Sequence, residues 1–139
     1  MNNNLIITIG REYGTGGREI GQKLALRLGV PFYDRELITR AAKKTGFDEK
    51  LFEQLDKRAT NSFLYSLTMF GSVGLNGMSL TDQLYLAQSN IIREMAEDSS
   101  CVIVGRCADH VLRDFPNKFD FFIHGSIEDR VKRVQTCGD

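Results

Sequence analysis

The order of apolar and polar positions along the chain predicts alternating strands and helices. Residues 4–9 form a short apolar run that ends at Gly10, which is typical of a strand buried on both faces. Apolar residues then recur every four positions over residues 20–28, which predicts a helix that Gly29 stops. Val30, Phe32 and Tyr33 predict a second short strand. Asp34 follows as the cap of a further predicted helix.

The rest of the chain continues this alternation. Helices are predicted over residues 47–58 and 61–70, and three glycines over residues 71–77 predict a loop. A long helix with the apolar stripe Leu84, Ala87, Ile91 and Met95 is predicted to begin at a capping box of Ser79 and Asp82. Apolar runs over residues 101–104 and 119–123 predict two central strands, with a short helix between them over residues 108–113.

A second capping box, Ser126 and Asp129, predicts the last helix. Its periodicity predicts that the aliphatic residues face inward and the basic residues outward: Ile127, Val131 and Val134 against Arg130, Lys132 and Arg133. Strands that alternate with helices in this way predict an α/β fold with a parallel sheet covered on both faces.

Composition narrows the class of protein. The 139 residues, 42% of them hydrophobic and 26% charged, fit one globular domain. Eighteen basic residues balance eighteen acidic ones, so we expect neither nucleic acid nor a membrane surface as partner. No apolar run reaches the ~20 residues of a membrane span. The three cysteines lack the spacing of a zinc site, so no metal ligands are assigned and reduced thiols are expected. Together these observations predict a location in the cytoplasm.

Residues 10–19, GREYGTGGRE, follow the first strand and lead into the first helix. Glycines let successive backbone N–H groups converge on an anion, and a helix N-terminus adds about half a positive charge, so the segment suits a phosphate. The Walker A form GxxxxGK[ST] is not satisfied, because Gly17 stands at the lysine position and Arg18 and Glu19 follow it. A tight strand-to-helix turn without a ligand is the alternative.

Three blocks of sequence, ITIGREYGTGGREIG, PFYDRELI and VIVGRCADHVLRD, closely resemble the cytidylate-kinase-like proteins of bacteria. The resemblance implies a P-loop NTPase-like three-layer α/β fold with a parallel sheet, a region that binds a nucleoside monophosphate, and a lid. It also implies that residues 1–139 are a single P-loop domain that is incomplete at its C-terminus and lacks the lid and the last strand.

The resemblance assigns site residues by position. Five residues match the loop that wraps the donor phosphates, with Arg18 supplying the charge of the missing lysine: Gly14, Thr15, Gly16, Gly17, Arg18. Gly10, Arg11 and Glu19 complete the predicted donor site from the same segment, where Arg11 and Arg18 would strengthen the binding of an anion. The acceptor residues are Asp34, Arg40, Arg106 and Asp109, and the catalytic arginines are Arg18, Arg106 and Arg130, with Arg133 beside the last of these. Ordinary alternatives are an exposed helix arginine at position 40, a helix cap at Asp109 and a solvated helix face for Arg130 and Arg133.

The implied activity is ATP-dependent phosphoryl transfer to a nucleoside monophosphate, CMP or dCMP, with ATP and Mg²⁺ as cofactors and small-molecule nucleotides as partners. Because Glu19 stands where relatives carry a magnesium-binding hydroxyl, the mode of magnesium binding stays open. The alternative is a catalytically silent nucleotide-binding or regulatory module with a degenerate P-loop. A dinucleotide-binding domain is the third hypothesis, weakened by the missing third glycine of GxGxxG. An unpaired sheet edge predicts a homo-oligomer.

Overall fold

A computed structural model describes residues 3–38 and 80–138 of the chain. It divides the chain into two compact units, Met1–Leu37 with Ile92–Asp139, and Ile38–Ile91. The elements, in chain order, are β1 (Ile6–Arg11), α1 (Gly17–Leu28), β2 (Phe32–Tyr33), α2 (Leu80–Asp98), β3 (Cys101–Val104), α3 (Ala108–Val111), β4 (Lys118–Ile123) and α4 (Ile127–Cys137). Residues 35–38 are also helical.

The four strands form one parallel sheet in the order β2-β3-β1-β4. Ile7 lies opposite Val102 and Ile9 opposite Val104, and these four side chains form a buried cluster with Ala25 of α1. Apolar residues on both faces of β1 and β3 require cover on both faces, as parallel sheets generally do. The fold is therefore a mixed α/β fold with an all-parallel sheet flanked by helices, consistent with the P-loop-like three-layer class that the sequence predicted.

The buried residues of α1 are small ones, and not the aliphatic residues whose spacing predicted the helix. Gly17, Gly21 and Ala25 are buried, whereas Ile20 and Leu28 are exposed by 46% and 43%. A Cβ atom on Gly21 would lie 2.7 Å from Cγ2 of Val104, so this glycine lets the helix approach the sheet closely. The helix itself was correctly predicted, and Gly29 ends it with φ of 66°.

The predicted orientation of α4 was wrong. Ile127 and Val131 are 69% and 49% exposed, and no residue of the helix is buried. Arg130 and Arg133 instead turn toward the glycine-rich segment, where they find carboxylate and carbonyl partners. Ion pairing and hydrogen bonding to a neighbouring loop have thus overridden the apolar periodicity from which the prediction was made. The Ser126 cap was correct, since its Oγ accepts a hydrogen bond from the N–H of Asp129 at 3.2 Å.

The two apolar runs predicted to be central strands differ in the sheet. β3 is central and its four residues are buried, but β4, in the part of the chain that the structure describes, pairs only with β1 and so lies at an edge. Phe119, Phe121 and Phe122 are each more than half exposed there. An apolar run alone does not reveal how many neighbours a strand has.

Several predictions fall on residues that the structure does not describe. The helices over residues 47–58 and 61–70, the glycine loop over residues 71–77, the Ser79 cap and the acceptor residue Arg40 all lie outside the described residues. None of the helices over residues 3–38 and 80–138 is long and apolar enough to span a bilayer.

Candidate functional site

The glycine-rich segment connects the end of β1 to the start of α1. Gly14 and Gly16 have φ angles of 84° and 77°, in the left-handed region that glycine adopts without a Cβ penalty. Gly16 is the N-cap of α1, and the N–H of Ile20 makes the first intrahelical bond, to the carbonyl of Gly16. The amides of residues 17–19 therefore have no acceptor within the helix. This is the backbone arrangement that binds phosphate in strand–loop–helix sites.

Arg11, the last residue of β1, lies across the helix start. A Cβ atom on Gly17 would come within 2.8 Å of both Cβ and Cγ of Arg11, so the arginine stem rests directly on this glycine. Its guanidinium then reaches the turn after β3, where a Cβ atom on Gly105 would lie 2.9 Å from the Arg11 Nη1. Arg11 thus joins the ends of the two central strands of the sheet.

Arg18 points away from the loop and toward the end of β2. Its Nε donates to the Asp34 Oδ2 at 2.7 Å, while the Asp34 Oδ1 accepts from the N–H of Leu37 at 3.1 Å. Burial raises the pKa of Asp34, but the hydrogen bond and charge of Arg18 and the bonds from the following backbone outweigh it, so the pKa is lowered. Asp34 is therefore an ionised helix cap, as predicted from its position, and also the partner of Arg18.

Two arginines of α4 contact the glycine-rich segment. The Arg130 Nε donates to the Tyr13 carbonyl at 2.6 Å, and its Nη1 lies 3.6 Å from the Glu12 Oε2. The Arg133 Nη2 donates to the Glu19 Oε2 at 2.6 Å, and its guanidinium packs against Gly16, where a Cβ atom would be 2.7 Å from Cζ.

Glu19 balances part of this positive charge. Hydrogen bonds from Lys23 and Arg133 lower the pKa of Glu19 to about 2, so the carboxylate is ionised at neutral pH. Glu12 has a related role, because its Oε2 also accepts from the N–H of Gly125 at 3.1 Å. Sequence reasoning missed Glu12; the only available signal was its place inside the glycine-rich segment, between Arg11 and Tyr13.

The turn after β3 has an unusual backbone. Gly105, Arg106 and Cys107 have φ angles of 78°, 59° and 53°, and the last two are non-glycine residues in the left-handed region. Such a conformation costs about 1–2 kcal/mol per residue, and strained backbone of this kind is concentrated at binding sites. Asp109 follows in the first turn of α3, whose N-cap is Cys107, so the predicted capping role of Asp109 is wrong.

A cleft of about 380 Å³ opens beside this turn. Its walls include the end of β1, the turn after β3 and the middle of β4, with Arg11, Asp109 and Asp120 as the charged residues. The Thr8 Oγ1 donates to the Asp120 Oδ1 at 2.5 Å, and Lys118 binds the other carboxylate oxygen. Partial burial raises the pKa of Asp120, but the bonds from Lys118 and Thr8 lower it further, so the net shift is downward.

A second, shallow recess of about 400 Å³ borders the glycine-rich segment. The Tyr13 ring and the apolar side chains of α4 line it, together with the stem of Arg130: Tyr13, Ile127, Arg130, Val131, Val134, Gln135. An aromatic ring, aliphatic side chains and a guanidinium are the groups on which a nucleobase stacks. Sequence reasoning missed Tyr13, which is 63% exposed, because only the glycines and charged residues of this segment were considered as ligand-binding groups.

The structure brings together most of the predicted site residues. The donor loop and Arg130 meet at the start of α1, whereas Asp109 lines the cleft on the side of Arg11. Arg18 is the exception within the loop, since its guanidinium is directed to Asp34. Asp34 has both carboxylate oxygens engaged by protein groups, and Arg106 lies in the strained turn. The residues that could hold a nucleotide are thus the loop, Arg11, the α4 arginines and the turn after β3.

Comparison with known proteins shows the family to which the chain is similar. A sequence model of the cytidylate kinase-like family matches residues 6–138. A crystal structure of an uncharacterized protein from Eubacterium ventriosum ATCC 27560 is similar, with 32% identity and a TM-score of 0.64, over 94% of this chain and 60% of that one. The chain therefore spans less than two thirds of the length of that relative. No curated protein matches the sequence. The family model matches nearly the whole chain, including the glycine-rich segment and the turn after β3, whose residues 105–109 read GRCAD. The chain therefore belongs to the cytidylate kinase-like family.

Proposed function

We propose that this chain carries the nucleotide-binding part of an ATP-dependent kinase that phosphorylates a nucleoside monophosphate, CMP or dCMP. The observation that carries the proposal is the meeting of three arginines at the start of α1, where the Arg11 stem rests on Gly17 and the guanidinium groups of Arg130 and Arg133 contact the loop. Cations are unfavourable at the positive end of a helix dipole, and Glu12 and Glu19 offset only part of their charge, so an anionic ligand is the further partner that we propose. Family membership supports a kinase-like function at the same coarse level.

The donor nucleotide fits the loop as far as its backbone is concerned. Side chains at Gly14 and Gly16 would run into Arg130 and Arg133 at 2.8 Å and 2.7 Å, so the glycines keep the loop and the two arginines in contact. The amides of residues 17–19 are available to phosphate oxygens, and the arginines supply charge. The recess beside Tyr13 is the place we assign to the adenine base.

On the acceptor side, we assign the monophosphate to the turn after β3 and the cleft beside it. Arg106 and Asp109 belong to this turn and helix, and ligands of open α/β sheets bind at the carboxyl ends of the strands. Phosphoryl transfer needs in-line positioning of the two substrates and neutralisation of charge, without a covalent bond to the protein. Arg40 is proposed as a further acceptor residue and lies outside the described residues.

Mg²⁺ supplies charge neutralisation between the terminal phosphates when bound in such kinases. The loop offers it a poor ligand set, because the Glu19 carboxylate is engaged by Lys23 and Arg133, and the Thr15 hydroxyl donates to the Glu12 carbonyl at 2.8 Å. The described residues also contain no cluster of three or more His, Cys, Asp or Glu side chains. We therefore assign no residue to the metal and derive no step through it.

The experiment is a coupled assay of ADP release with ATP and each common nucleoside monophosphate. Turnover with CMP or dCMP above that with purine monophosphates supports the proposal. Arg106→Gln should raise KM for the monophosphate, whereas Arg113→Gln, at an exposed arginine just after α3, serves as the matched control. Absence of turnover with every monophosphate contradicts a kinase activity of this chain.

A catalytically silent nucleotide-binding or regulatory module is the second candidate. Two features favour this function. Gly17 stands at the lysine position, so the loop has no lysine, and the Arg18 guanidinium is engaged with Asp34 instead of the loop. Calorimetric binding of ATP without turnover on any monophosphate would select this function.

A further inference from the structure

Gly17 and Arg11 exclude a lysine at position 17. In a Walker A loop the lysine side chain starts from this position and runs to the terminal phosphates. Here the space next to the Gly17 Cα is filled by the Arg11 stem, since an added Cβ would lie 2.8 Å from the Arg11 Cβ and Cγ and 3.3 Å from its Cδ. Contacts under 3.0 Å with a stem so close to the backbone require the chain to shift. The missing lysine and the arginine at the end of β1 are therefore linked features of one structure.

The Arg11 guanidinium is also placed differently from the other arginines of the site. Arg18, Arg130 and Arg133 each bind a protein carboxylate or carbonyl. In the part of the chain that the structure describes, the Arg11 guanidinium makes no hydrogen bond or ion pair. It is half-buried and lines the cleft of about 380 Å³, with Gly105 of the turn after β3 at its tip. A half-buried guanidinium without a counter-ion is costly unless a ligand supplies the charge.

We infer that Arg11 takes the place of the P-loop lysine and binds the terminal phosphates of the donor; this inference rests on the proposed function. The positive group enters from the end of β1 instead of the start of α1, and Gly17 is the residue that makes room for its stem. Because the guanidinium ends beside Gly105, it lies between the donor loop and the proposed acceptor turn. Its planar group pairs two phosphate oxygens at once, which a lysine ammonium does not do.

This proposal assigns to Arg11 the charge that the resemblance had assigned to Arg18. Arg18 follows Gly17 directly in sequence, so it was the natural candidate from the motif. In the structure its guanidinium is committed to Asp34 at 2.7 Å, and moving it to a phosphate would leave a buried carboxylate without its partner.

The test is calorimetric titration of inorganic tripolyphosphate, and then of ATP, into the 139-residue chain without divalent cations. Arg11→Gly should weaken binding about tenfold or more, the effect of losing a hydrogen bond to a charged group. Arg27→Ala, an exposed arginine in the last turn of α1, is the matched control and should leave binding unchanged. Arg18→Ala should weaken binding less than Arg11→Gly does.

A charge exchange makes the test specific. Gly17→Lys alone should weaken binding, because its side chain meets the Arg11 stem. The double variant Arg11→Gly with Gly17→Lys removes that stem and rebuilds the usual lysine position, so it should recover most of the affinity that Arg11→Gly loses. Circular dichroism of each variant establishes that it is folded before titration.

The possible results separate the inference from the proposed function. If the unaltered chain binds neither tripolyphosphate nor ATP, the proposed function fails. If the unaltered chain binds and Arg11→Gly binds equally well, or Arg18→Ala loses more, the inference alone is overturned. A folded double variant that binds no better than Arg11→Gly also overturns it, whereas recovery in the double variant supports it.

Discussion

At the scale of single residues, ion pairs with carboxylates set the directions of the arginine side chains around the glycine-rich segment. Asp34 and Glu19 are both ionised carboxylates with lowered pKa values, and each holds an arginine in a defined direction. Asp34 directs Arg18 away from the loop, while Glu19 keeps Arg133 against Gly16. If a phosphate binds as we propose, the acidic partners decide which arginine is left to face it.

Asp34→Asn tests the Arg18 pair. Asparagine also caps helices, so the substitution removes mainly the charge, and we expect a loss of about 1–2 kcal/mol in the free energy of unfolding at pH 7. Because the pKa of Asp34 is lowered by folding, its stabilisation is present above the ordinary aspartate pKa of about 3.9 and is lost as the pH falls from there through the lowered value. Urea unfolding from pH 7 to pH 2 measures this.

Two results would contradict the account of the Asp34 pair. One is a stability difference between the unaltered chain and Asp34→Asn that stays constant down to pH 2. The other is a large further loss of stability in the double variant Asp34→Asn with Arg18→Gln. Both substitutions break the same pair, so the double variant should lose little beyond Asp34→Asn alone.

Cys107→Asn tests the strain in the turn after β3. Asparagine tolerates the left-handed conformation better than cysteine, and the Cys107 φ angle is 53°, so the variant should be more stable by about 0.5–1 kcal/mol. Cys107→Ala, which has a Cβ atom but no polar side chain, is the control and should show no gain. Equal stability of all three proteins in chemical denaturation would show that the turn is not strained at this residue.

At the scale of elements, the sequence predicted the helices and strands that the structure describes but misjudged the face that α4 presents. The apolar runs of β1 and β3, the Gly29 stop of α1 and the Ser126 cap of α4 are local signals, and they were recovered closely. The pattern predicted α1 but gave no sign of its close contact with β3, because the residues that make it, Gly21 and Ala25, carry little hydrophobic weight. The face of α4 was misjudged because its arginines are held by Glu12, Tyr13 and Glu19, which lie more than a hundred residues earlier.

Gly21→Ala tests the close contact between α1 and the sheet. Alanine would improve helix propensity by about 1 kcal/mol. The added Cβ, however, meets Cγ2 of Val104 at 2.7 Å and the Phe32 ring at 3.0 Å, and overpacking of a buried contact costs typically 1–3 kcal/mol. We therefore expect net destabilisation in thermal unfolding, with exposed Gln22→Ala on the same helix as the control. A gain in stability would mean that the helix can move away from the sheet at no cost.

The segments that form the candidate site were predictable from the sequence, but the side-chain contacts between them were not. The glycine-rich segment and the GRCAD turn were recognised from their residues and placed correctly at the ends of β1 and β3. The contact between Arg11 and Gly17 joins residues on different elements, and the motif gave no sign of it. Side-chain direction depends on tertiary contacts, and a one-dimensional pattern carries no record of them.

At the scale of the whole molecule, an apolar surface runs along β4. Phe119, Phe121 and Phe122 are more than half exposed on a strand that, among the described residues, pairs only on the side of β1. Edge strands with exposed apolar residues favour association with other chains. A homo-oligomer is accordingly our proposal for the isolated chain at micromolar concentration.

Sedimentation velocity measures this association. The unaltered chain should sediment above the monomer mass, and replacement of Phe119 and Phe121 by lysine should shift it toward monomer, because charged residues on an edge strand oppose pairing. Leu26→Lys, at an 82% exposed position of α1, is the matched control and should leave the distribution unchanged. A monomer at all concentrations, or an oligomer indifferent to the β4 substitutions, would contradict the proposal.

The central claim is that the loop between β1 and α1 binds the phosphates of a nucleotide. A crystal structure of the chain with a non-hydrolysable ATP analogue tests it most directly. The account predicts phosphate oxygens within hydrogen-bond distance of the amides of residues 17–19, with the Arg11 guanidinium on the terminal phosphate. A nucleotide bound elsewhere, with the start of α1 free of ligand, would contradict it.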